Sequence, residues 1–334
     1  MALEEPKVVI VGGGAMGSLF GGLLAEGGLD VTLVDIRREH VEAINRDGLR
    51  IVGHGGERTV RVAATLDPAR LSATDVVLFQ CKAFANEAAA RSVRHIVKGS
   101  TVVISFQNGL GNEETLGRIL GEEHVLGGLT AQGAVVVAPG VVRNFGNLPT
   151  YIGELSGGLS ERAVAIADAF TKHCLPTSAS ANIKKEKWQK LLGNVALGAA
   201  SAATDMTSAE MVAVPELRDV ILRALDEAAA VARACGIALA DSEKRAIFDR
   251  LTSVGGGGTG ASKSSMAADI ALKRRPEIDT IHGSVSHLGR EKGVQTPTID
   301  AMIAIVKGLE AKYTLAAGKP EQGRSALRPV RTSE

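Results

Sequence analysis

A glycine pattern near the amino terminus constrains the fold of this chain more than any other feature. The sequence KVVIVGGGAMGSLF contains GxGxxG directly after a short apolar run, its glycines being Gly12, Gly14 and Gly17. The first glycine suits a tight turn, the second allows close approach of a pyrophosphate, and the third allows close packing of helix on strand. Free N–H groups at the start of the next helix would bind the phosphates. The residues predicted to contact the cofactor here are Gly12, Gly14, Ala15, Met16 and Gly17.

An acidic residue ends the second apolar run, at Asp35 in VTLVDIRR. A carboxylate there can bind both ribose hydroxyls and repels a 2′-phosphate, which favours NAD. Arg37 and Arg38 follow directly, and a guanidinium can instead bind a 2′-phosphate. The two arginines are equally consistent with a solvated helix start. The predicted cofactor is therefore NADP or NAD, with Asp35 favouring NAD.

Apolar runs alternate with helical stretches through the first half of the chain. A helix over Met16–Glu26 separates the first two strands, so a βαβ unit is predicted. Repetition of this alternation predicts an α/β fold with an N-terminal Rossmann-type doubly wound parallel sheet. Two further runs, Ala134–Val137 and Val141–Asn144, flank Pro139-Gly140 and predict a hairpin appended to that sheet. The predicted sheet strands are Lys7–Val11, Asp30–Val34, Val76–Gln80, Thr101–Phe106 and Val125–Leu129.

From about residue 182 the composition shifts to Ala, Leu, Glu, Lys and Arg, and the apolar spacing becomes helical. This change predicts an all-helical C-terminal domain. The predicted division is 1–181 for the dinucleotide-binding domain, 182–317 for the helical substrate and catalytic domain, and 318–334 for a disordered tail. The glycine-rich residues 255–260 are either a flexible linker or a loop facing the substrate. The predicted helices include Glu216–Cys235, Ser284–Glu291 and Thr298–Leu315.

Composition argues against several classes of partner. The net charge is +1 and only 3% of residues are aromatic, so neither nucleic acid nor an acidic membrane surface is expected to bind. No apolar run approaches the roughly 18 residues of a membrane span, and no signal peptide is evident.

Three scattered cysteines indicate buried thiols in a reducing, cytoplasmic setting, without a metal site or disulfides. His282 and His287 are interpreted as packing or surface residues.

Five motifs lie in order along most of the chain: FQCKAF with Lys82, SFQNGLGNEE with Asn108, EKWQKLLGN with Lys190 and Asn194, Ser264-Ser265-Met266 with Asp269, and Glu277-Ile278-Asp279 with Gly283. These motifs resemble those of the ketopantoate reductases, whose active-site helix has the pattern W-x-K-L-x-x-N. This resemblance implies NAD(P)H-dependent reduction of a 2-oxo acid to the 2-hydroxy acid, ketopantoate to pantoate or a related substrate.

The resemblance implies that Lys190 is the general acid. Burial and cationic neighbours would have to lower its pKa toward neutrality. Asn194 lies four residues further, on the same helix face, and would hydrogen-bond the substrate. Asn108 would position the cofactor and Lys190, and Glu277 would orient Lys190 or bind a substrate hydroxyl. The core-facing residues of this helix are predicted to be Trp188, Leu191, Leu192 and Val195.

The substrate residues match the family less closely. Gly198 replaces a second asparagine that contacts the substrate's polar end in the family, and Ser208 replaces another asparagine. Ser265 would hydrogen-bond the substrate carboxylate, or else cap a helix. Lys82 would contact the cofactor or fix its own loop. The sequence therefore leaves open a bulkier 2-oxo acid or another ketone, a non-catalytic dinucleotide-binding role, and a homodimer.

Overall fold

The computed structural model describes residues 4–255 and 258–316. The predicted disorder of residues 318–334 and the centre of the 255–260 loop lie outside the described residues. The strands described are β1 (Val8–Val11), β2 (Val31–Val34), β3 (Leu49–Gly53), β4 (Arg58–Val60), β5 (Ala63–Thr65), β6 (Val76–Phe79), β7 (Val102–Ser105), β8 (Val125–Thr130), β9 (Ala134–Ala138), β10 (Val141–Asn144), β11 (Thr150–Gly153) and β12 (Thr177–Ala179).

Helices follow most strands in the first half of the chain, and the elements described after β12 are all helical. A π-helical turn at Asp279–Gly283 leads into one of them. The α-helices described are α1 (Ala15–Glu26), α2 (Arg38–Asp47), α3 (Asn86–Val93), α4 (Asn112–Leu120), α5 (Glu161–Lys172), α6 (Ile183–Thr204), α7 (Ser208–Val212), α8 (Pro215–Ala234), α9 (Asp241–Thr252), α10 (Ser265–Ala271), α11 (Ser284–Lys292) and α12 (Pro297–Ala316).

The main sheet has eight strands in the order β12-β11-β8-β7-β6-β1-β2-β5. Its strands are parallel except at β8 and β11, which pair antiparallel. Alternate residues of β1 face opposite ways: Val8 and Ile10 pack in one core cluster, Val9 and Val11 in another. Helices α1 and α5 cover the first face, and α3 and α4 cover the second. The predicted doubly wound α/β sheet is confirmed, and each predicted strand agrees with its observed counterpart to within one residue at either end.

The predicted hairpin forms, but its predicted place in the main sheet is wrong. Strands β9 and β10 pair antiparallel and belong to a second, four-stranded sheet of order β4-β3-β10-β9. Its partner strands β3 and β4 were not predicted. This sheet packs on α1, because Gly22 of that helix lies directly against Leu49 and Ile51 of β3. Burial of those two apolar side chains explains why the hairpin joins β3 rather than the main sheet edge.

The helical half packs around α6. Asn182 caps this helix by accepting a hydrogen bond from the Lys185 N–H at 3.2 Å, and the helix itself begins at Ile183. The predicted helices α8, α11 and α12 are observed with ends within one residue. The predicted core-facing residues of α6 are buried as expected, namely Trp188, Leu191, Leu192 and Val195.

One expectation about the cysteines is wrong. Cys174 is exposed, whereas Cys81 and Cys235 are partly buried. Cys174 takes the left-handed position after α5, with φ of 66°, and this places its side chain outside the core. Within the described part of the chain no helix is both long and apolar enough to cross a membrane.

Candidate active site

The glycine loop between β1 and α1 has the geometry of a phosphate cradle. Gly12 has φ of +102°, and a Cβ there would lie 2.3 Å from the Cys81 backbone nitrogen. A Cβ at Gly17 would lie 2.0 Å from the Gly12 carbonyl oxygen, so only glycine fits either position. A Cβ at Gly14 would enter open space, and no side chain caps α1 at this residue. The first turn of α1 thus has no side-chain cap, which is the arrangement that a phosphate-binding helix start requires.

Asp35, the residue predicted to bind the ribose, directly follows β2 and is only 8% exposed. Its carboxylate accepts two hydrogen bonds from the Arg37 guanidinium, Nε to Oδ1 at 3.0 Å and Nη2 to Oδ2 at 3.3 Å. Arg37 Nη2 also donates to the Gly13 carbonyl at 3.2 Å. Arg38 instead pairs with Glu42 on the exposed face of α2. Arg37 is therefore held by Asp35, whereas Arg38 lies on the solvated surface.

Three predicted site residues meet at the carboxyl edge of the main sheet. Asn108 follows β7, while Lys190 and Asn194 extend from α6, and all three line one narrow cleft. This edge is where substrates and cofactors bind in open α/β sheets. The cleft is lined by Phe106, Gln107, Asn108, Gly109, Gly128, Leu129, Lys187, Lys190, Leu191 and Asn194.

Lys190 lies in an environment where the positive charge of its ammonium group is energetically unfavourable. Its Nζ donates a hydrogen bond to the Thr130 carbonyl at the end of β8, at 2.9 Å. Burial, and then the positive charge of Lys187, lower the pKa of Lys190 to about 8, although the Glu277 carboxylate acts in the opposite direction. An ammonium group with such a pKa is a much better proton donor near neutral pH than an ordinary lysine.

Glu277 contacts Lys82 and not Lys190 in this structure. Lys82 Nζ donates to Asp269 Oδ2 at 2.8 Å and to Glu277 Oε2 at 3.1 Å, and the Ala83 N–H donates to the same Glu277 carboxylate at 3.3 Å. Burial lowers the pKa of Lys82, but the Glu277 and Asp269 carboxylates outweigh it and raise the value overall. This ion cluster joins the loop after β6 to the helical half of the chain.

A second cavity of about 180 Å³ opens beyond Asn194, which lines both spaces. Ser208 and Ser265 line it, as does Gly198. Ser264, not Ser265, caps α10 by accepting from the Ala267 N–H at 3.0 Å. The Ser265 hydroxyl is thus not used as the helix cap. Thr259, from the glycine-rich loop, also lines this cavity.

Sequence reasoning gave no role to Lys187, Glu113 or Asp269. Lys187 lies three residues before Lys190 on α6 and forms a buried ion pair with Glu113 of α4. The helical spacing of Lys187 and Lys190 was a usable signal, but nothing in the sequence marks Glu113 as its partner.

His282 is fully buried and His287 is exposed beside Glu291, so both match their interpretation as packing and surface residues. Burial lowers the pKa of His282 to about 4. Its Nε2 donates to the Val195 carbonyl at 2.9 Å. In the described ranges no group of three or more His, Cys, Asp or Glu residues is arranged to hold a metal ion.

Two family models match the chain. Residues 8–157 match the model described as ketopantoate reductase PanE/ApbA, and residues 182–310 match its C-terminal counterpart. The second matched region begins one residue before α6.

Relatives and solved structures agree with these matches. A 2-dehydropantoate 2-reductase of Halobacterium salinarum is 33% identical over 302 residues, covering 90% of this chain and 98% of that protein. One from Pyrococcus abyssi is 33% identical over 305 residues, covering 91% and 98%.

Among solved structures, a ketopantoate reductase family protein of Ralstonia eutropha superposes with a TM-score of 0.84 at 31% identity, covering 92% of this chain and 99% of that one. A D-mandelate dehydrogenase bound to NADH and anilino(oxo)acetate superposes with a TM-score of 0.86 at 28% identity, with the same coverage. The glycine cradle, the lysine cleft and these similarities together show that the chain belongs to the ketopantoate reductase family of oxidoreductases, which act on CH–OH groups and reduce a 2-oxo acid.

Proposed function

We propose that this protein uses NADH to reduce a 2-oxo acid whose side chain is bulkier than that of ketopantoate, with Lys190 as the proton donor. One observation carries the proposal. Lys190, Asn108 and Asn194 line a single cleft at the carboxyl edge of the sheet, and Asn194 also lines a second cavity beside Gly198.

The chemistry follows from the residues that line the cleft. When bound, the reduced nicotinamide supplies a hydride to the carbonyl carbon of the 2-oxo acid. Lys190 stabilises the negative charge that develops on the carbonyl oxygen and transfers a proton from its Nζ to that oxygen. The products are the 2-hydroxy acid and a neutral lysine amine, which takes up a proton from solvent before the next turnover.

The other predicted site residues have supporting roles. Asn108 and Asn194 orient the two reactants through their side-chain amides, and Ser265 and Ser208 offer hydroxyl groups to the substrate in the second cavity. Glu277 and Lys82 act through their mutual ion pair, which holds the loop after β6 against the helical half. Glu277 also opposes the lowering of the Lys190 pKa.

The size of the second cavity supports a bulky substrate. Its volume is about 180 Å³, and cavities of roughly 150 Å³ hold a benzene ring. Gly198 leaves this space free of the amide that the family places there. The neighbouring D-mandelate dehydrogenase structure holds an anilino-substituted oxo acid, so this fold accommodates an aromatic ring next to a 2-oxo group.

The proposed preference for NADH rests on Asp35. Its carboxylate is nearly buried at the ribose position and would repel a 2′-phosphate. Arg37 already uses its guanidinium on Asp35 and would have to break both hydrogen bonds to bind that phosphate. We expect a moderate preference, because the same ion pair weakens the negative potential of Asp35.

A cofactor-oxidation screen tests the proposal. The purified protein is assayed with NADH and with NADPH against ketopantoate, branched aliphatic 2-oxo acids and phenyl-bearing 2-oxo acids. We expect the highest kcat/KM with NADH and a phenyl-bearing or large branched acid. Turnover confined to ketopantoate would restrict the protein to the family's usual substrate. Dinucleotide binding without oxidation by any acid would show a non-catalytic role.

A further inference from the structure

Lys187 is a second lysine in the cleft, and the chemistry above does not use it. It lies three residues before Lys190 on α6, so both side chains leave the same face of the helix. Both line the cleft with Asn108. The Lys187 side chain is only 7% exposed, which is rare for a lysine without a specific partner.

That partner is Glu113, whose side chain is 4% exposed and forms a hydrogen-bonded ion pair with Lys187. Glu113 lies in the first turn of α4, a few residues after Asn108. The pair therefore ties the loop that carries Asn108 to the helix that carries Lys190. Burying two charges costs solvation that their attraction seldom exceeds, so stability alone does not explain the pair.

The charged groups around Lys190 come from several elements. Lys187 faces it from α6, and Glu277 faces it from the segment before the π-helical turn. Glu277 and Asp269 of α10 both accept hydrogen bonds from Lys82, whereas Glu113 of α4 is paired with Lys187. The Thr130 carbonyl of β8 is the neutral acceptor. Lys187 is thus a positive charge that acts on Lys190, and its ion pair with Glu113 holds it in place.

We propose that Lys187, fixed by Glu113, is a positioning residue whose charge keeps Lys190 a ready proton donor. This inference rests on the function proposed above. A fixed cation one helical turn away disfavours the ammonium form of Lys190 and makes it a stronger acid. Without Glu113, a buried Lys187 would lose its counter-charge and become neutral, so either partner's loss should weaken the acid.

The test measures the protonation of Lys190 directly. In cofactor-free protein, the rate of acylation of Lys190 by a small anhydride is followed by peptide mass spectrometry from pH 6 to 11, which gives an apparent pKa without any substrate. The double variant Glu113→Gln/Lys187→Met replaces the ion pair with neutral groups of similar size and so protects folding. Lys187→Arg retains the cation, and Lys184→Met removes an exposed lysine of the same helix.

We expect the double variant to raise the pKa of Lys190 by roughly one unit or more, and the basic limb of the reductase pH profile to move by the same amount. Lys187→Arg and Lys184→Met should stay near the wild-type value. An unshifted Lys190 pKa in the folded double variant would overturn the inference. A shifted labelling pKa in a protein that reduces no 2-oxo acid would overturn the proposed function alone and leave the effect of Lys187 on Lys190 established.

Discussion

Substituting Gly198 with asparagine restores the amide that the family has at this position and should reverse the substrate preference. A Cβ at Gly198 would lie 3.4 Å from His282 Cε1 and 3.8 Å from Met266 Cε, which are ordinary contacts. Glycine is also a poorer helix former than asparagine by a few tenths of a kcal/mol. The variant should therefore fold normally, and any change in activity reports on the cavity.

The expected change in kcat/KM follows from the volume that the asparagine side chain occupies. The cavity is about 180 Å³, close to the roughly 150 Å³ that holds a benzene ring, so an added carboxamide leaves too little room for a phenyl group. A misfit of one methylene in such a pocket changes kcat/KM by roughly 10- to 200-fold. We expect a loss of that size on a phenyl-bearing 2-oxo acid. A new hydrogen bond worth about 0.5–1.5 kcal/mol should raise kcat/KM on ketopantoate about two- to tenfold.

The assay is NADH oxidation with both acids, for the wild type and three variants. Gly198→Ala should show a small part of the effect. Gly308→Asn makes the same exchange on α12, where a Cβ meets nothing within 4 Å, and should change neither activity. Unchanged kcat/KM of Gly198→Asn on the bulky acid would refute the reasoning. So would a wild-type kcat/KM on ketopantoate above about 10⁵ M⁻¹s⁻¹, the range of efficient enzymes.

Three further outcomes are expected. Lys190 must be protonated to act, and its pKa is about 8. The kcat/KM for reduction should therefore be constant below pH 8 and fall tenfold per pH unit above it. A kcat/KM that stays constant up to pH 10 would contradict this. Asp35→Ala should narrow the preference for NADH over NADPH, measured as kcat/KM for each cofactor, by removing the repulsion between its carboxylate and the 2′-phosphate. A wild type that strongly prefers NADPH would show that Arg37, and not Asp35, determines the cofactor preference. Lys82→Met should lower the free energy of unfolding, measured by urea titration, by about 1–3 kcal/mol. The loss is smaller than for a fully buried pair because Lys82 is 40% exposed. Unchanged stability would show that the cluster with Glu277 does not join the two halves.

The fold was largely predictable because its signals are local. The strands of the parallel sheet are continuous apolar runs, as expected when both faces are covered, and the glycine pattern fixes the first βαβ unit. Strands β3 and β4 were missed because neither is a continuous buried run: exposed Arg50 interrupts β3, and β4 has only three residues. Their pairing with the hairpin depends on packing against α1, which no local pattern in the sequence shows.

The site was predictable where a motif fixes a residue's position and less so where partners come from distant segments. Lys190 and Asn194 share a helix face, so their common cleft follows from spacing. The partners of Glu277 and Lys187 lie far away in sequence, at Lys82 and Glu113. Only the folded chain shows that Glu277 pairs with Lys82 and that a buried cation stands beside Lys190.

Replacing Lys190 tests the central claim most directly. Lys190→Ala and Lys184→Ala are compared with the wild type by single-turnover oxidation of bound NADH with the best acid from the screen, and NADH affinity is measured separately by fluorescence. We predict that Lys190→Ala slows hydride transfer by roughly 10²- to 10⁴-fold, the usual contribution of a positioned general acid, while its NADH affinity and the rate of Lys184→Ala stay near wild type. A Lys190→Ala rate within a few-fold of wild type would contradict the account.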